Sequence, residues 1–155
     1  ARSAFEEGMN VRQCKFEDIL RVSELEKECF AGESWSYGAI ASAFENPAYD
    51  MLVAEENGEV IGYGCTCTAC ETSDLENVLV AEEYRNSGVG TAILNALVAN
   101  AAERGAEKIF LEVRVSNCAA MRLYLSCGFV GVHARTRYYS DGEDCLVMSK
   151  IIARK

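Results

Sequence analysis

Residues 85–102 read RNSGVGTAILNALVANAA, and this stretch decides the fold of the 155-residue chain. Its second half spaces apolar side chains as an α-helix does, and Gly105 is placed to end that helix. The apolar stripe consists of Ile93, Leu94, Leu97, Val98, Ala101 and Ala102. Its first half places Gly88 and Gly90 at the start of the helix, after an apolar run typical of a strand. The free backbone amides and the dipole at such a helix start attract an anion. The stretch therefore predicts a strand, a phosphate-binding loop and a helix.

The glycine pattern excludes two common nucleotide sites. A Rossmann site needs Gly-x-Gly-x-x-Gly and a Walker loop needs Gly-Lys-Ser/Thr, and the loop has neither. Arg85 would add positive charge beside a pyrophosphate, and the alternative is a solvated loop arginine. We favour phosphate binding because the loop lies between a strand and a helix.

The elements on either side alternate in type. Periodicity predicts strands at 11–15, 51–55, 60–69, 74–80, 108–115, 130–139 and 145–151, and helices at 18–30, 36–44 and 117–126. Asn57-Gly58 predicts a hairpin between the second and third strands. The order predicts one α/β domain with a mixed sheet, antiparallel at its start and end, with helical crossovers around its middle.

Composition and charge narrow the class of protein. Half of the residues are apolar and a quarter are charged, which is typical of a globular domain. The net charge of −9 disfavours nucleic acid and anionic membranes, and is compatible with a basic peptide or amine as partner. Residues 1–8 precede Met9 without periodicity and resemble an expression-tag remnant, so the predicted domain is 9–155.

The eight cysteines require their own explanation. No signal peptide opens the chain and no apolar run reaches the roughly 18 residues of a membrane span, so we expect a reduced, cytoplasmic protein. Cys65, Cys67 and Cys70 were candidates for zinc, but a structural site takes four ligands and His133 is the only histidine. We therefore predict no metal and interpret cysteine mainly as a small buried hydrophobic residue.

Two blocks together carry a family resemblance. Arg85 to Gly90 fits Arg/Gln-x-x-Gly-x-Gly/Ala, and the chain resembles the GNAT family of acetyl-coenzyme A dependent N-acetyltransferases. The second block is LEVRVSNCAA (111–120) with LYLSCGF (123–129), followed by Arg137-Tyr138-Tyr139. It resembles the RimI-type branch, whose members acetylate the N-terminal alanine of a small-subunit ribosomal protein. The resemblance implies the GNAT-like acyl-CoA N-acyltransferase fold, with acetyl-CoA as co-substrate.

The resemblance also implies roles for individual residues. The backbone of Val78, Leu79 and Val80 would line the pantetheine arm and polarise the thioester carbonyl, and Asn117 would contact the coenzyme. Glu112 would be the general base and Tyr124 the general acid. The pyrophosphate would be held by Arg85, Asn86, Ser87, Gly88, Val89, Gly90 and Thr91.

The residues themselves leave alternatives open for the two catalytic candidates. Glu112 lies mid-strand, in an element that we expect helices to cover on both faces, and its alternative role is an ion pair with Arg114 on the same face. We expect burial or an ordered water to make Glu112 an effective base. Tyr124 follows Asn117 by seven residues, about two helical turns, so the two share a face; core packing is the alternative for Tyr124.

The sequence marks the residues of the acceptor site less clearly than those of the coenzyme site. Glu33-Ser34-Trp35-Ser36 keeps the tryptophan and serine of the branch's Phe-Pro-Trp-Ser but lacks the proline. We predict Trp35 and Tyr138 as walls of the acceptor site, with core packing as the alternative. The acidic turn at 141–144 is predicted to face a cationic amine.

The predicted activity is acetylation of a protein N-terminal α-amine. Neutralising an α-amine of pKa ~7.8 at pH 7 costs about 1 kcal/mol, against about 4.6 kcal/mol for lysine at ~10.4. Two alternatives stand beside it: a lysine or small-amine N-acetyltransferase, and an acyl-CoA binding module without turnover.

Overall fold

The computed structural model describes residues 8–30 and 32–152, and its elements follow the predicted order. The predicted tag remnant lies outside the described residues except for Gly8. The strands are β1 (Asn10–Gln13), β2 (Tyr49–Glu56), β3 (Glu59–Ala69), β4 (Thr72–Val80), β5 (Lys108–Arg114), β6 (Val130–Arg135) and β7 (Cys145–Ile151). The helices are α1 (Ile19–Cys29), α2 (Tyr37–Glu45), α3 (Val89–Glu103) and α4 (Cys118–Ser126).

The seven strands form one mixed sheet in the order β1-β2-β3-β4-β5-β7-β6. Only β4 and β5 run parallel, and α3 makes the crossover between them. The predicted hairpin joins β2 to β3, with Asn57 and Gly58 at φ +52° and +81°. The mixed sheet predicted from the sequence is confirmed.

The parallel pair separates soon after it begins. Thr72–Asp74 pairs with 108–110, and then Glu76 bulges out of β4 because Leu75 and Asn77 take consecutive partners on β3. Beyond this point the described pairing of β4 is with β3 alone. We call the space between residues 75–80 and 111–114 the β4–β5 gap.

The backbone of β4 is partly turned toward the gap. Ala81 donates its N–H to the carbonyl of Ile61 at 2.8 Å, and the Leu79 carbonyl also points toward β3. Because the hydrogen-bonding direction alternates along an antiparallel strand, Val78 and Val80 direct their N–H and C=O groups into the gap.

Two cores cover the sheet unequally. On one face α3 packs so closely that a Cβ at Gly64 would lie 2.7 Å from Ile93 Cγ2. The predicted stripe of α3 lies in this core, with Ile93, Leu94 and Leu97 fully buried. On the other face α1 and α2 form a second core. Among the described residues, β5, β6 and β7 contribute no side chain to this core. We call the uncovered side of these strands the open face.

The strand predicted at 130–139 ends four residues early. Arg137 has φ +49°, and the amides of Tyr138 and Tyr139 donate to the Glu143 carbonyl instead of to a neighbouring strand. Residues 136–144 therefore form a loop that returns over the open face, and we call it the 136–144 loop.

The cysteines are all free thiols and differ in burial. Cys14, Cys65, Cys127 and Cys145 are buried, as predicted, whereas Cys70 and Cys118 are exposed. Burial raises the pKa of Cys14 and of Cys65 to about 12. Within residues 8–30 and 32–152, no three Cys, His, Asp or Glu side chains are grouped as metal ligands would be. None of the helices in those ranges is long and apolar enough to span a membrane.

Candidate active site

A cavity of about 550 Å³ opens between β4, the start of α3 and α4. Ten of the predicted site residues line it: Val78, Leu79, Val80, Arg85, Asn86, Gly88, Gly90, Thr91, Asn117 and Tyr124. Ser87 and Val89 do not, because the Ser87 hydroxyl bonds to the Tyr84 carbonyl and Val89 is buried in the core. Cys29 and Phe30 also line it, and no sequence motif marked them.

The glycine loop has the shape of an anion site. Asn86 and Gly88 adopt left-handed φ angles of +61° and +92°, and Gly88 begins α3 without a side-chain cap. The first amides of α3 have no acceptor within the helix. A Cβ at Gly90 would lie 3.3 Å from Leu123 Cδ2, so glycine lets α3 approach α4 closely. Backbone donors and the helix dipole thus concentrate positive potential at one end of the cavity.

Arg85 points back into the cavity. Its Nε donates to the Val80 carbonyl at 3.0 Å, and its Nη2 lies 3.3 Å from Cys29 Sγ. The guanidinium therefore lies between the end of β4 and the end of α1, beside the glycine loop.

Helix α4 brings Asn117 and Tyr124 to the same cavity. Asn117 Oδ1 caps the helix by accepting from the Ala120 amide at 3.1 Å. Tyr124 is 9% exposed, its ring lies 6.0 Å from that of Phe129, and burial raises its pKa to about 12. Tyr124 is thus both a core residue and a cavity residue, so the two interpretations of its position are compatible.

Glu112 lies elsewhere than expected. Its side chain is 40% exposed on the open face, so the expectation that helices cover it on both sides is wrong. It accepts a hydrogen bond from the Tyr138 hydroxyl at 2.9 Å and pairs with Arg135 at 3.2 Å. The alternative ion pair with Arg114 is also wrong. Glu112 does not line the cavity, but belongs to the strand that borders the β4–β5 gap.

Arg114 instead joins two loops. Its Nη1 lies 2.9 Å from both Asp141 Oδ2 and Glu143 Oε1, and its Nη2 bonds to Glu33 of the loop between α1 and α2. The guanidinium also stacks over Tyr139, 4.0 Å from the ring centroid. The pKa of Asp141 is held below its usual range by the backbone N–H of Glu143 and then by Arg114, and the pKa of Glu143 by Ser116 and then by Arg114.

The acidic turn has partners inside the protein. Asp141 and Glu143 bind Arg114, and Asp144 accepts from the Arg137 amide at 3.0 Å. Because one arginine serves both Asp141 and Glu143, the turn keeps a net negative charge, and that it faces a cationic amine stays a prediction.

Two other carboxylates, which the sequence did not mark, lie near Glu112. Burial raises the pKa values of Asp74 and Glu76 of β4; the negative charge of Glu112 raises that of Asp74 further, and the charges of Asp74 and Glu112 raise that of Glu76. Glu76 sits at the bulge and accepts from the Tyr49 hydroxyl at 3.2 Å. The surface around Glu112 is thus acidic because strand pairing brings β4 beside β5.

The two predicted acceptor walls occupy different places. Tyr138 is 43% exposed and covers Glu112. Trp35 is half-buried against the core of α1 and α2 and is absent from the cavity lining. The structure joins Tyr138 to Glu112 and leaves Trp35 as part of the loop that Arg114 holds through Glu33.

A parallel strand pair that separates beside a glycine-led helix start agrees with the acyl-CoA N-acyltransferase fold expected from the sequence resemblance. A profile described as "Acetyltransferase (GNAT) family" matches residues 19–129, so the chain belongs to that family. It is a GNAT N-acetyltransferase, and GNAT acetyltransferases use acetyl-CoA.

Relatives share both sequence and fold. The ribosomal protein bS18-alanine N-acetyltransferase of Escherichia coli K12 is 34% identical over 118 residues, 74% of this chain and 79% of that one. An N-alpha-acetyltransferase of Sulfurisphaera tokodaii is 31% identical over 152 residues, 90% of each chain. The crystal structure of the ribosomal-protein-S18-alanine N-acetyltransferase from Escherichia coli superposes with a TM-score of 0.85 at 29% identity, covering 95% of this chain and 96% of that one.

Proposed function

We propose that the enzyme acetylates the N-terminal α-amine of a protein, with an alanine start on a small-subunit ribosomal protein as the leading acceptor. The observation that carries this proposal is the cavity that an uncapped helix start, Val78, Val80 and Tyr124 line together. The relatives named for N-terminal acetylation support the choice of acceptor.

The coenzyme would lie along the cavity with its pyrophosphate at α3. The amides of residues 88–91 would bind the phosphate oxygens, and Arg85 would add a positive charge once it leaves the Val80 carbonyl. Asn117 would contact the coenzyme from the start of α4. The outward amides of Val78 and Val80 would bind the pantetheine arm and the thioester oxygen.

The reaction requires a base for the amine and a partner for the leaving thiolate. Glu112 would take the amine proton, directly or through water, and the nitrogen would then attack the thioester carbon. The nitrogen of the tetrahedral intermediate loses its second proton to water, and the carbon–sulfur bond breaks as the intermediate collapses, so that the thiolate leaves with the electron pair. Tyr124, with its pKa raised to about 12, keeps its proton at neutral pH and would donate a hydrogen bond to that sulfur.

The open face suits a cationic acceptor. Tyr138 would form a wall beside Glu112, and Asp74 and Glu76 extend the negative charge along β4. An α-amine is easier to deprotonate than a lysine by about 3.6 kcal/mol at its ordinary pKa, which favours an N-terminus over a side chain. We place the reaction in the cytoplasm on the basis of the sequence prediction.

The test is release of coenzyme A thiol from acetyl-CoA with a panel of amines. The panel contains peptides that start with free Ala, Ser or Met, an N-terminally blocked lysine peptide, and spermidine. We expect turnover with the α-amine peptides, and most with the alanine start. Preference for the lysine peptide or spermidine would support the small-amine alternative, and coenzyme binding without any turnover would support the binding module.

A further inference from the structure

A buried carboxylate outside the cavity has no role in the proposed reaction. Glu26 of α1 is fully buried, and burial raises its pKa. Its Oε1 accepts the backbone N–H of Trp35 at 3.1 Å, and its Oε2 accepts the side-chain amide of Asn77. Each oxygen thus has a partner from a different part of the chain.

The two partners belong to different parts of the protein: the loop that carries Trp35, a predicted wall of the acceptor site, and the strand that would bind the thioester. Trp35 lies in the loop between α1 and α2, and we call the described residues 32–36 of this loop the acceptor loop. Asn77 directly precedes Val78, just past the bulge at Glu76. One side chain therefore connects the acceptor loop to the strand that would bind the thioester.

The chemistry of the site favours a group with two acceptor oxygens. Both partners are donors, and an ionised carboxylate offers only acceptors. An apolar side chain at position 26 would leave the Trp35 amide and the Asn77 side chain without this acceptor in a buried region, which is costly. Arg114 holds the same loop at Glu33, so Glu26 secures the end that carries Trp35.

We propose that Glu26 is a positioning residue that fixes the acceptor loop against β4, and so sets how the acceptor nitrogen approaches the thioester. That Glu26 holds the acceptor loop is a structural claim independent of the reaction. That Glu26 affects the approach of the acceptor nitrogen rests on the proposed function. The role requires the hydrogen bonds of Glu26 and not its negative charge.

The variants separate hydrogen bonding from charge. In Glu26→Gln the amide oxygen accepts from Trp35, and the amide nitrogen donates to Asn77 once the Asn77 side chain flips, so we expect the loop to stay in place. Glu26→Leu removes both contacts. Ser23→Ala is the matched control, because Ser23 is also buried on α1 but bonds to the Leu20 carbonyl of its own helix.

Trp35 is the only tryptophan in the chain, so its fluorescence reports the loop without any need for turnover. We expect Glu26→Leu to shift the emission to longer wavelength and to increase quenching by acrylamide, whereas Glu26→Gln and Ser23→Ala match the wild type. Asn77→Ala keeps the contact between Glu26 and Trp35. We expect it to increase quenching by acrylamide too, but by less than Glu26→Leu does. This variant keeps the test usable if Glu26→Leu does not fold.

The kinetic test compares the KM for the acceptor with the KM for acetyl-CoA. We expect Glu26→Leu to raise the acceptor KM about tenfold, the size expected for losing a buried anchor, while the KM for acetyl-CoA stays unchanged. Wild-type quenching and acceptor KM in Glu26→Leu or Asn77→Ala would overturn the proposal. A folded but inactive Glu26→Gln would also overturn it, because the charge would then be needed. If the wild type acetylates no amine while the fluorescence follows the expected order, the proposed function fails and the anchoring role stands.

Discussion

Tyr124 combines a structural and a chemical position in one residue. Its ring packs on Phe129 in the core, while the residue lines the cavity at the end of α4. The spacing from Asn117 predicted the shared helix face, because helical periodicity is local. The sequence could not decide between packing and catalysis, since both place the residue in the same position.

Tyr124→Phe should lower kcat about 10- to 100-fold, because it removes the hydroxyl that would donate to the thiolate but keeps the ring. Affinity for coenzyme A and the melting temperature should change little. Tyr63→Phe is the matched control, since Tyr63 is buried in the other core. Equal losses of stability and activity in Tyr124→Phe would instead assign the residue to packing.

Glu112 shows where reasoning from one strand fails. Alternation correctly placed it opposite Leu111 and Val113, but the neighbours of a strand come from distant segments of the chain. Its contact with Tyr138, and those of Arg114 with Asp141 and Glu143, depend on the path of the 136–144 loop, while Arg135 comes from β6 and Glu33 from the loop between α1 and α2. Local sequence does not encode that path.

Glu112→Gln should reduce kcat by about 100-fold or more at neutral pH, because the amide accepts no proton. Binding of acetyl-CoA, measured by calorimetry, should stay at the wild-type level. Glu103→Gln, an exposed carboxylate on α3, serves as the control. Unchanged turnover of Glu112→Gln across the pH range would remove Glu112 from the mechanism.

At the scale of elements, the glycine loop and α3 were the most predictable part. The stripe of α3 is long and regular, and Gly88 takes the left-handed conformation that a helix start of this shape requires. The bulge at Glu76 and the β4–β5 gap were not predicted, because they arise from mismatched pairing with β3 and from loss of pairing with β5. These two features leave β5 unpaired with Val78 and Val80, which line the cavity.

Gly88→Ala should weaken coenzyme A binding, because an alanine at φ +92° costs about 1–2 kcal/mol and pulls the loop away from its anion-binding shape. Gly142→Ala is the matched control, with φ +90° and open space around it in the 136–144 loop. Both variants should lose similar stability, but only Gly88→Ala should raise the Kd for coenzyme A. Equal Kd values for the two variants would contradict the phosphate site at α3.

At the scale of the whole molecule, the net charge of −9 predicted a partner class but not where the charge acts. Tertiary structure pairs Asp141 and Glu143 with Arg114 and Glu112 with Arg135, and places Asp74 and Glu76 near Glu112 at the open face. Arg12 gives another internal example, because it binds Asp18 at 2.7 Å and Glu55 at 2.9 Å and so ties β1 to β2 and to the turn before α1.

Asp18→Asn should cost about 1–3 kcal/mol of unfolding free energy at pH 7, since it weakens a charge-assisted hydrogen bond. Arg12 holds the pKa of Asp18 below its usual range, so this stabilisation is present above the ordinary carboxyl pKa and is lost as pH falls through the lowered one. The difference between wild type and variant in urea unfolding should therefore be large at pH 7 and shrink toward pH ~2. A difference that is constant with pH would show that the effect is not ionic.

The central claim is that an α-amine is the acceptor, and a single peptide tests it most directly. The peptide carries a free N-terminal alanine and one internal lysine, and it is incubated with enzyme and acetyl-CoA. Fragmentation mass spectrometry then locates the acetyl group. We expect one acetyl group on the alanine nitrogen and an unmodified lysine, with no product when the N-terminus is blocked. Acetylation of the lysine in the blocked peptide as fast as that of the free alanine would rule out an α-amine as the preferred acceptor.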